Sequence, residues 1–295
     1  MRWCVISNYE KDKCRLMKNA FASRNIKPDI DCVSGKNTYE CTNMIHNHLA
    51  DLITLDPADA YRATRYFGLY PLAAEDYGTI DNEIPVYYAV AVVKKTDLTT
   101  NLWNLRNKRM CGTAIGEFAG WHVPVDYLAG IKELYVTDCH ISKVAGEYFG
   151  RSCVPGSQDY DFNTLKTNPR ALCLRCYSKG SDYCARNQKE LFYGDTGAFR
   201  CLNEYDGHVA FVRHTSVKPN TDGRNTDQWA RPLRQTDFEL LCKDGTRKSI
   251  EKYRECHLVR IPSRVIMIAG HRTEMQRNYL WNMLNFAQQL FGSDT

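Results

Sequence analysis

A disulfide-rich α/β protein of two domains is the fold this sequence predicts, and three observations predict it. Strand-like apolar runs alternate with helix-period segments along nearly the whole chain. The 295 residues are about twice an average domain, so each half is long enough to bury a core of its own. Thirteen cysteines, spread from Cys4 to Cys256 with few histidines at ligand spacing, read as a disulfide framework from an oxidising compartment. Their number is odd, which points to one cysteine whose partner lies elsewhere.

The elements follow in order. Trp3 to Ser7 reads as a short buried strand, and Lys11 to Phe21 as a helix in which Cys14, Met17 and Phe21 recur at helical spacing. A strand near Ile30 to Val33, a helix around Tyr39 to Leu49 and a strand at Leu52 to Leu55 continue the alternation. Asp56-Pro57 then reads as a helix entry, with Asp56 as N-cap and Pro57 in the first helical position. That places Asp56 at the carboxyl end of a strand, where open α/β sheets bind ligands. The densest β signal, I-P-V-Y-Y-A-V-A-V-V-K from Ile84 to Lys94, is long enough to link two halves of the protein. A strand at Arg109 to Gly112 and a helix over Glu117 to Leu128, bent by Pro124, come next. Between Gly150 and Cys184 the cysteines crowd and periodicity is lost, which predicts a disulfide-stapled loop region. Strands at Val209 to Arg213, Phe238 to Cys242 and His257 to Ile268, then a helix from Thr273 to Phe291, complete the reading.

Composition and motifs exclude several functions. The longest apolar run, Val86 to Val93, has eight residues against the roughly 20 that cross a bilayer, so no segment is expected to span a membrane. A net charge of +5, from 39 basic and 34 acidic side chains interspersed, is too mild for a nucleic-acid partner. No G-x-S-x-G elbow marks a hydrolase. Cys173-Leu-Arg-Cys176 lacks the second ligand pair of a zinc site and reads as part of the disulfide framework. Gly112 to Gly116 lacks the Lys-Ser/Thr ending of a P-loop, leaving Thr113 at a helix N-terminus as a generic anion site. Asp56 at its strand-to-helix switch and the pair Tyr87-Tyr88 in a strand of small apolar residues stand out from ordinary capping and packing. The opening M-R-W-C-V-I-S has no signal-peptide character, so the expectation is an added start residue or a piece of a longer protein.

The segments M-R-W-C-V-I-S, D-L-I-T-L-D, Y-Y-A-V-A-V-V-K-K, F-A-G-W-H-V-P-V, G-A-F-R-C-L, V-A-F-V-R-H, D-F-E-L-L-C, C-H-L-V-R-I-P-S and A-Q-Q-L-F-G occur in the order of a transferrin lobe. The resemblance covers essentially the whole chain. G-E-F-A-G-W-H-V-P-V and V-A-F-V-R-H-T are most similar to the C-terminal lobe of melanotransferrins and their insect counterparts. It implies a lobe resembling periplasmic binding proteins, with two α/β domains around an interdomain cleft and two crossing strands between them. One domain would comprise residues 1–85 plus 262–295, the other 86–261.

In that family an iron-binding lobe uses an Asp, two Tyr and a His, with carbonate held by a Thr, an Arg and a helix N-terminus. Fe(III) is a hard ion that prefers anionic oxygen donors, and the anion completes its coordination. The resemblance implies that Asp56 and Tyr87 are retained ligands and Thr113 a retained anion contact. Asp195 stands where the second tyrosine is expected, Arg264 where the histidine is expected and Glu117 where the anion arginine is expected. Glu117 would repel carbonate by about 1 to 4 kcal/mol at ~4 Å, and Arg264 offers a permanent cation in place of a neutral imidazole. Iron and carbonate are therefore expected to bind weakly or not at all. A Glu117–Arg264 pair, with Asp195 sharing the arginine, would instead hold such a cleft closed without metal.

The resemblance also implies the pairs Cys4–Cys41, Cys14–Cys32, Cys111–Cys201, Cys153–Cys176, Cys173–Cys184 and Cys242–Cys256, with Cys139 unpaired. In the family that cysteine has a partner near the end of the lobe, so the expectation is a lobe shortened at its C-terminus and separated from an N-terminal lobe. The function implied is a non-enzymatic, secreted or cell-surface interaction module without cofactor. Its partners would be the N-terminal lobe of its parent or a secreted protease. Two alternatives accompany it. One is a residual metal carrier using Asp56, Tyr87 and Asp195. The other is a protease inhibitor of host defence presenting Arg224, Arg231 or Arg234 on the polar, basic loop Val217 to Gln235.

Overall fold

The structure, a computed structural model, describes residues 1–76, 80–81, 84–135 and 140–291. It divides into two compact units, Met1–Gly78 with Ser263–Thr295, and Thr79–Pro262. The chain starts in the first unit with β1 (Arg2–Val5), α1 (Asn8–Ser23), β2 (Asp31–Ser34), α2 (Thr38–His46), β3 (Leu52–Leu55), α3 (Pro57–Phe67) and β4 (Leu69–Ala74). Each of the three helices starts on a side-chain cap. The Ser7 hydroxyl accepts from the Glu10 N–H at 3.0 Å, the Asn37 amide oxygen from Glu40 at 2.8 Å and the Asp56 carboxylate from Ala58 at 3.2 Å.

The second unit contains β5 (Ile80–Asp81), β6 (Ile84–Lys94), β7 (Met110–Gly112), α4 (Val123–Gly130), α5 (Ile141–Tyr148), α6 (Gly194–Glu204), β8 (Val209–Arg213), β9 (Phe238–Leu241), β10 (Arg247–Ser249) and β11 (Val259–Pro262). The chain then returns to the first unit with β12 (Val265–Ala269) and α7 (Glu274–Phe291). The first sheet has the order β2-β1-β3-β12-β4, with β1 parallel to β2 and β3 and the returning β12 antiparallel to β3 and β4. The second has the order β10-β9-β6-β8-β7, and β6 also pairs with β5 and β11.

The apolar run expected as one strand, His257 to Ile268, is two strands. It leaves one sheet at Pro262 and enters the other at Val265, and hydrophobic periodicity cannot mark a change of sheet. The first boundary falls at 78/79 rather than 85/86, because β6 is paired along its whole length with strands of the second unit. β4 escapes a sequence reading because it contains Pro71. It lies at the sheet edge, with a register irregularity between its β12 partners Ile266 and Met267, which are places where a strand tolerates proline. The bend expected at Pro124 is a five-residue π-helical segment, Phe118–His122, running directly into α4. Pro124 has no N–H for a helical bond, and the turn before it widens so that the His122 N–H reaches the Glu117 carbonyl at 3.0 Å.

Six disulfides join the pairs the resemblance implies: Cys4–Cys41 and Cys14–Cys32 in the first unit, Cys111–Cys201, Cys153–Cys176, Cys173–Cys184 and Cys242–Cys256 in the second. Cys139 lies outside the described residues. From Gly150 to Cys184 the chain forms three-residue 3₁₀ turns and one isolated bridge, Cys153 to Cys111, held by Cys153–Cys176 and Cys173–Cys184. Glu190 sits among these loops, 1% exposed, its carboxylate accepting N–H groups of Tyr177 and Cys184 at 2.9 Å and of Ser178 and Phe192 at 3.2 Å.

Candidate functional site

In the first unit, Asp56 is buried at the junction of β3 and α3, one carboxylate oxygen spent on its own helix cap. Arg264 lies between β11 and β12, its carbonyl accepting the Glu75 N–H at 2.8 Å, its side chain half-buried.

The second unit gathers Tyr87, Thr113, Glu117 and Asp195. Tyr87 is fully buried on β6 opposite Ile261 of β11. Thr113 follows β7, and its carbonyl accepts the N–H of Gly194, the first residue of α6. Its hydroxyl is buried without a hydrogen-bond partner among the described residues. Gly120 presses on it so closely that a Cβ there would stand 2.2 Å from the Thr113 hydroxyl oxygen, so no other residue fits. Glu117 is 6% exposed and precedes the π-helical segment, which it does not cap with its side chain.

Asp195, in the first turn of α6, is bound by Arg213 at the end of β8. The guanidinium donates to Oδ2 from Nε at 2.8 Å and Nη2 at 2.7 Å, and the Arg213 N–H donates to Oδ1 at 2.8 Å, with the Ser216 hydroxyl at 3.2 Å. Both side chains are mostly buried, and the same guanidinium lies 5.8 Å from the Tyr87 ring centre. The sequence reading missed Arg213. It is the cation of V-A-F-V-R-H, and the available signal was a charged residue ending an otherwise apolar strand.

His214, beside it, accepts the Tyr88 N–H on Nδ1 at 3.2 Å and packs against the rings of Tyr88 and Tyr253. Burial first, then the Arg213 and Arg254 charges, with His257 adding to them and Asp195 opposing, push its pKa down from 6.5 to about 4. The unfolded imidazole takes a proton near 6.5 and the folded one only near 4. Stability is therefore full above pH 6.5 and falls as pH drops from 6.5 towards 4. At pH 5 the expected loss from this group is about 2 kcal/mol. Urea midpoints at pH 7 and pH 5 should differ less in a His214→Gln variant; equal differences would remove His214 as the cause.

Cys153, Cys176 and Glu190 have the proximity of a metal cluster. The two sulfurs are bonded to each other and the carboxylate is taken up by four amides, so this group is structural. The loop Val217 to Gln235 does not project as an arm. Trp229 and Ala230 are buried, Arg224 is bound to Asp222 and the Lys218 carbonyl, and Arg231 donates to the Thr226 carbonyl. Among the described residues no helix is long and apolar enough to cross a membrane.

A family model described as Transferrin matches residues 1–295. The chain is 39% identical to the transferrin of Blaberus discoidalis over 99% of its own length and 41% of that protein. It is 39% identical to the melanotransferrin of Homo sapiens, over 100% of this chain and 39% of that one. Otolith matrix protein 1 of Oncorhynchus mykiss is 33% identical, over 99% of this chain and 79% of that protein. The chain thus spans about two fifths of the length of the transferrin and the melanotransferrin, the extent of a single lobe.

Proposed function

Because the chain belongs to the transferrin family, we propose that this lobe has given up the family's iron and carbonate chemistry. It acts instead as a non-enzymatic, secreted or cell-surface module that binds other proteins. The observation that carries this reading is the Asp195–Arg213 pair. At the position where the family places an anionic phenolate donor, this chain has a carboxylate already neutralised by a guanidinium in the same unit. Fe(III) taking that carboxylate would have to displace a mostly buried charge-assisted pair, and the arginine left behind would repel the cation. Glu117 and Arg264 add to the argument by the charge they bring to positions the resemblance assigns to arginine and histidine. The similarity to otolith matrix protein 1, by its name a component of a matrix, supports a role other than carriage.

Loading with ferric nitrilotriacetate and bicarbonate tests the reading. No tyrosinate-to-iron charge-transfer absorption is expected, and a saturable coloured complex would overturn it. An Asp195→Tyr/Glu117→Arg/Arg264→His variant, carrying the three family residues, is expected to gain the colour. A second reading, a residual metal or anion carrier using Asp56, Tyr87 and Asp195, draws support from the unpartnered buried hydroxyl of Thr113. A bicarbonate-dependent signal in the same titration would favour it. Protease inhibition has less support, since two of the three loop arginines are tied to the loop's own atoms.

A further inference from the structure

The first unit contains three of the chain's eight histidines, His46, His48 and His271, and all three line one cavity of about 480 Å³. They reach it from two places remote in sequence. His46 ends α2, His48 lies just beyond it, and His271 is in the turn between β12 and α7. The rings of His48 and His271 are in contact, 4.6 Å between centres and nearly perpendicular. His46 faces the Phe67 carbonyl, with Nδ1 at 3.0 Å. A carbonyl only accepts, so Nδ1 carries the proton and the lone pair of the neutral ring is on Nε2.

The walls of the cavity are held by backbone. Gly270 lies so close to Gly68 that a Cβ on it would stand 2.0 Å from the Gly68 carbonyl oxygen. Arg277 grips the His271 turn by donating to the carbonyls of Gly270 at 2.7 Å and Arg272 at 2.9 Å, and Arg272 is tied to Asp51 at 2.7 Å. His48 has a φ of 60°, the left-handed region that a glycine would ordinarily fill after a helix.

We propose that the His48–His271 pair is a binding site for a divalent late transition-metal ion such as Cu²⁺ or Zn²⁺, with His46 lining the same cavity but not counted as a ligand, because the donor atoms of the three histidines do not all lie within 4.8 Å of one another. Imidazole nitrogen suits these ions, and two side chains with solvent access leave room for water in the remaining positions. The site lies wholly in the first unit and uses none of Asp56, Tyr87, Asp195 or Arg264, so it stands or falls apart from the iron question.

Copper(II) added to the metal-free chain is expected to give an electron paramagnetic resonance spectrum with imidazole nitrogen couplings. His48→Gln and His271→Gln should each weaken binding at least about tenfold and reduce the nitrogen coupling, whereas His140→Gln, in the second unit, should change neither. All three positions are exposed, so the variants should fold, and far-UV circular dichroism checks that they do. Unchanged affinity and spectrum in the His48→Gln/His271→Gln double variant would overturn the proposal, as would equal losses in His140→Gln.

Discussion

Replacing Glu190 by alanine is expected to destabilise the protein by about 3 kcal/mol, a large effect for one side chain. Its two oxygens accept four backbone N–H groups, from Tyr177, Ser178, Cys184 and Phe192, in a stretch of chain with no strand or α-helix to satisfy them otherwise. Alanine leaves all four without their acceptor. The bonds to Cys184 and Phe192 are buried, so water cannot take over there without opening the loops. Glu190→Gln should fall between, since its carbonyl still serves one side while its NH₂ faces donors on the other. Guanidinium unfolding with the disulfides intact measures both. A loss below about 1 kcal/mol in the alanine variant would mean that the amides find other partners.

Removal of the Cys111–Cys201 bridge by a double alanine substitution is expected to cost more than removal of Cys173–Cys184. The first closes a loop with a sequence separation of 90 and the second one of 11. Loop-closure entropy predicts losses of about 4 to 5 and about 3 kcal/mol respectively. Each pair lies in the same apolar core, so the packing lost is similar and loop length is the main variable. Thermal unfolding of the two double variants ranks them. The reverse order would show that native-state contacts, rather than freedom of the unfolded chain, dominate.

The sequence made the long apolar elements legible, and β6 has the bounds its composition predicts because eight successive apolar residues leave no alternative. α6 was invisible because two glycines near its start lower helix propensity, and packing against β8 and β7 forms it instead. The positions Asp56, Tyr87, Thr113, Glu117, Asp195 and Arg264, which the resemblance assigns to iron and its anion, could be named because each is anchored in a recognisable motif. Their neighbours could not. Arg213 meets Asp195 only after β8 and α6 pack, and His271 meets His48 across more than two hundred residues of chain. Such convergences leave no periodicity or spacing to read.

The out-and-back path of the chain has a consequence for its synthesis. β12 occupies the place between β3 and β4, so the first sheet cannot be completed until residue 269 has been made, after the whole second unit. Until then β3 and β4 have no partner on their facing edges, a state in which strands invite wrong pairing. The second unit is continuous in sequence and can close while the first waits. Cys4–Cys41 and Cys14–Cys32 both lie within the earliest segment and can form before the gap is filled. They would keep that nascent half-sheet in register until its missing strand arrives.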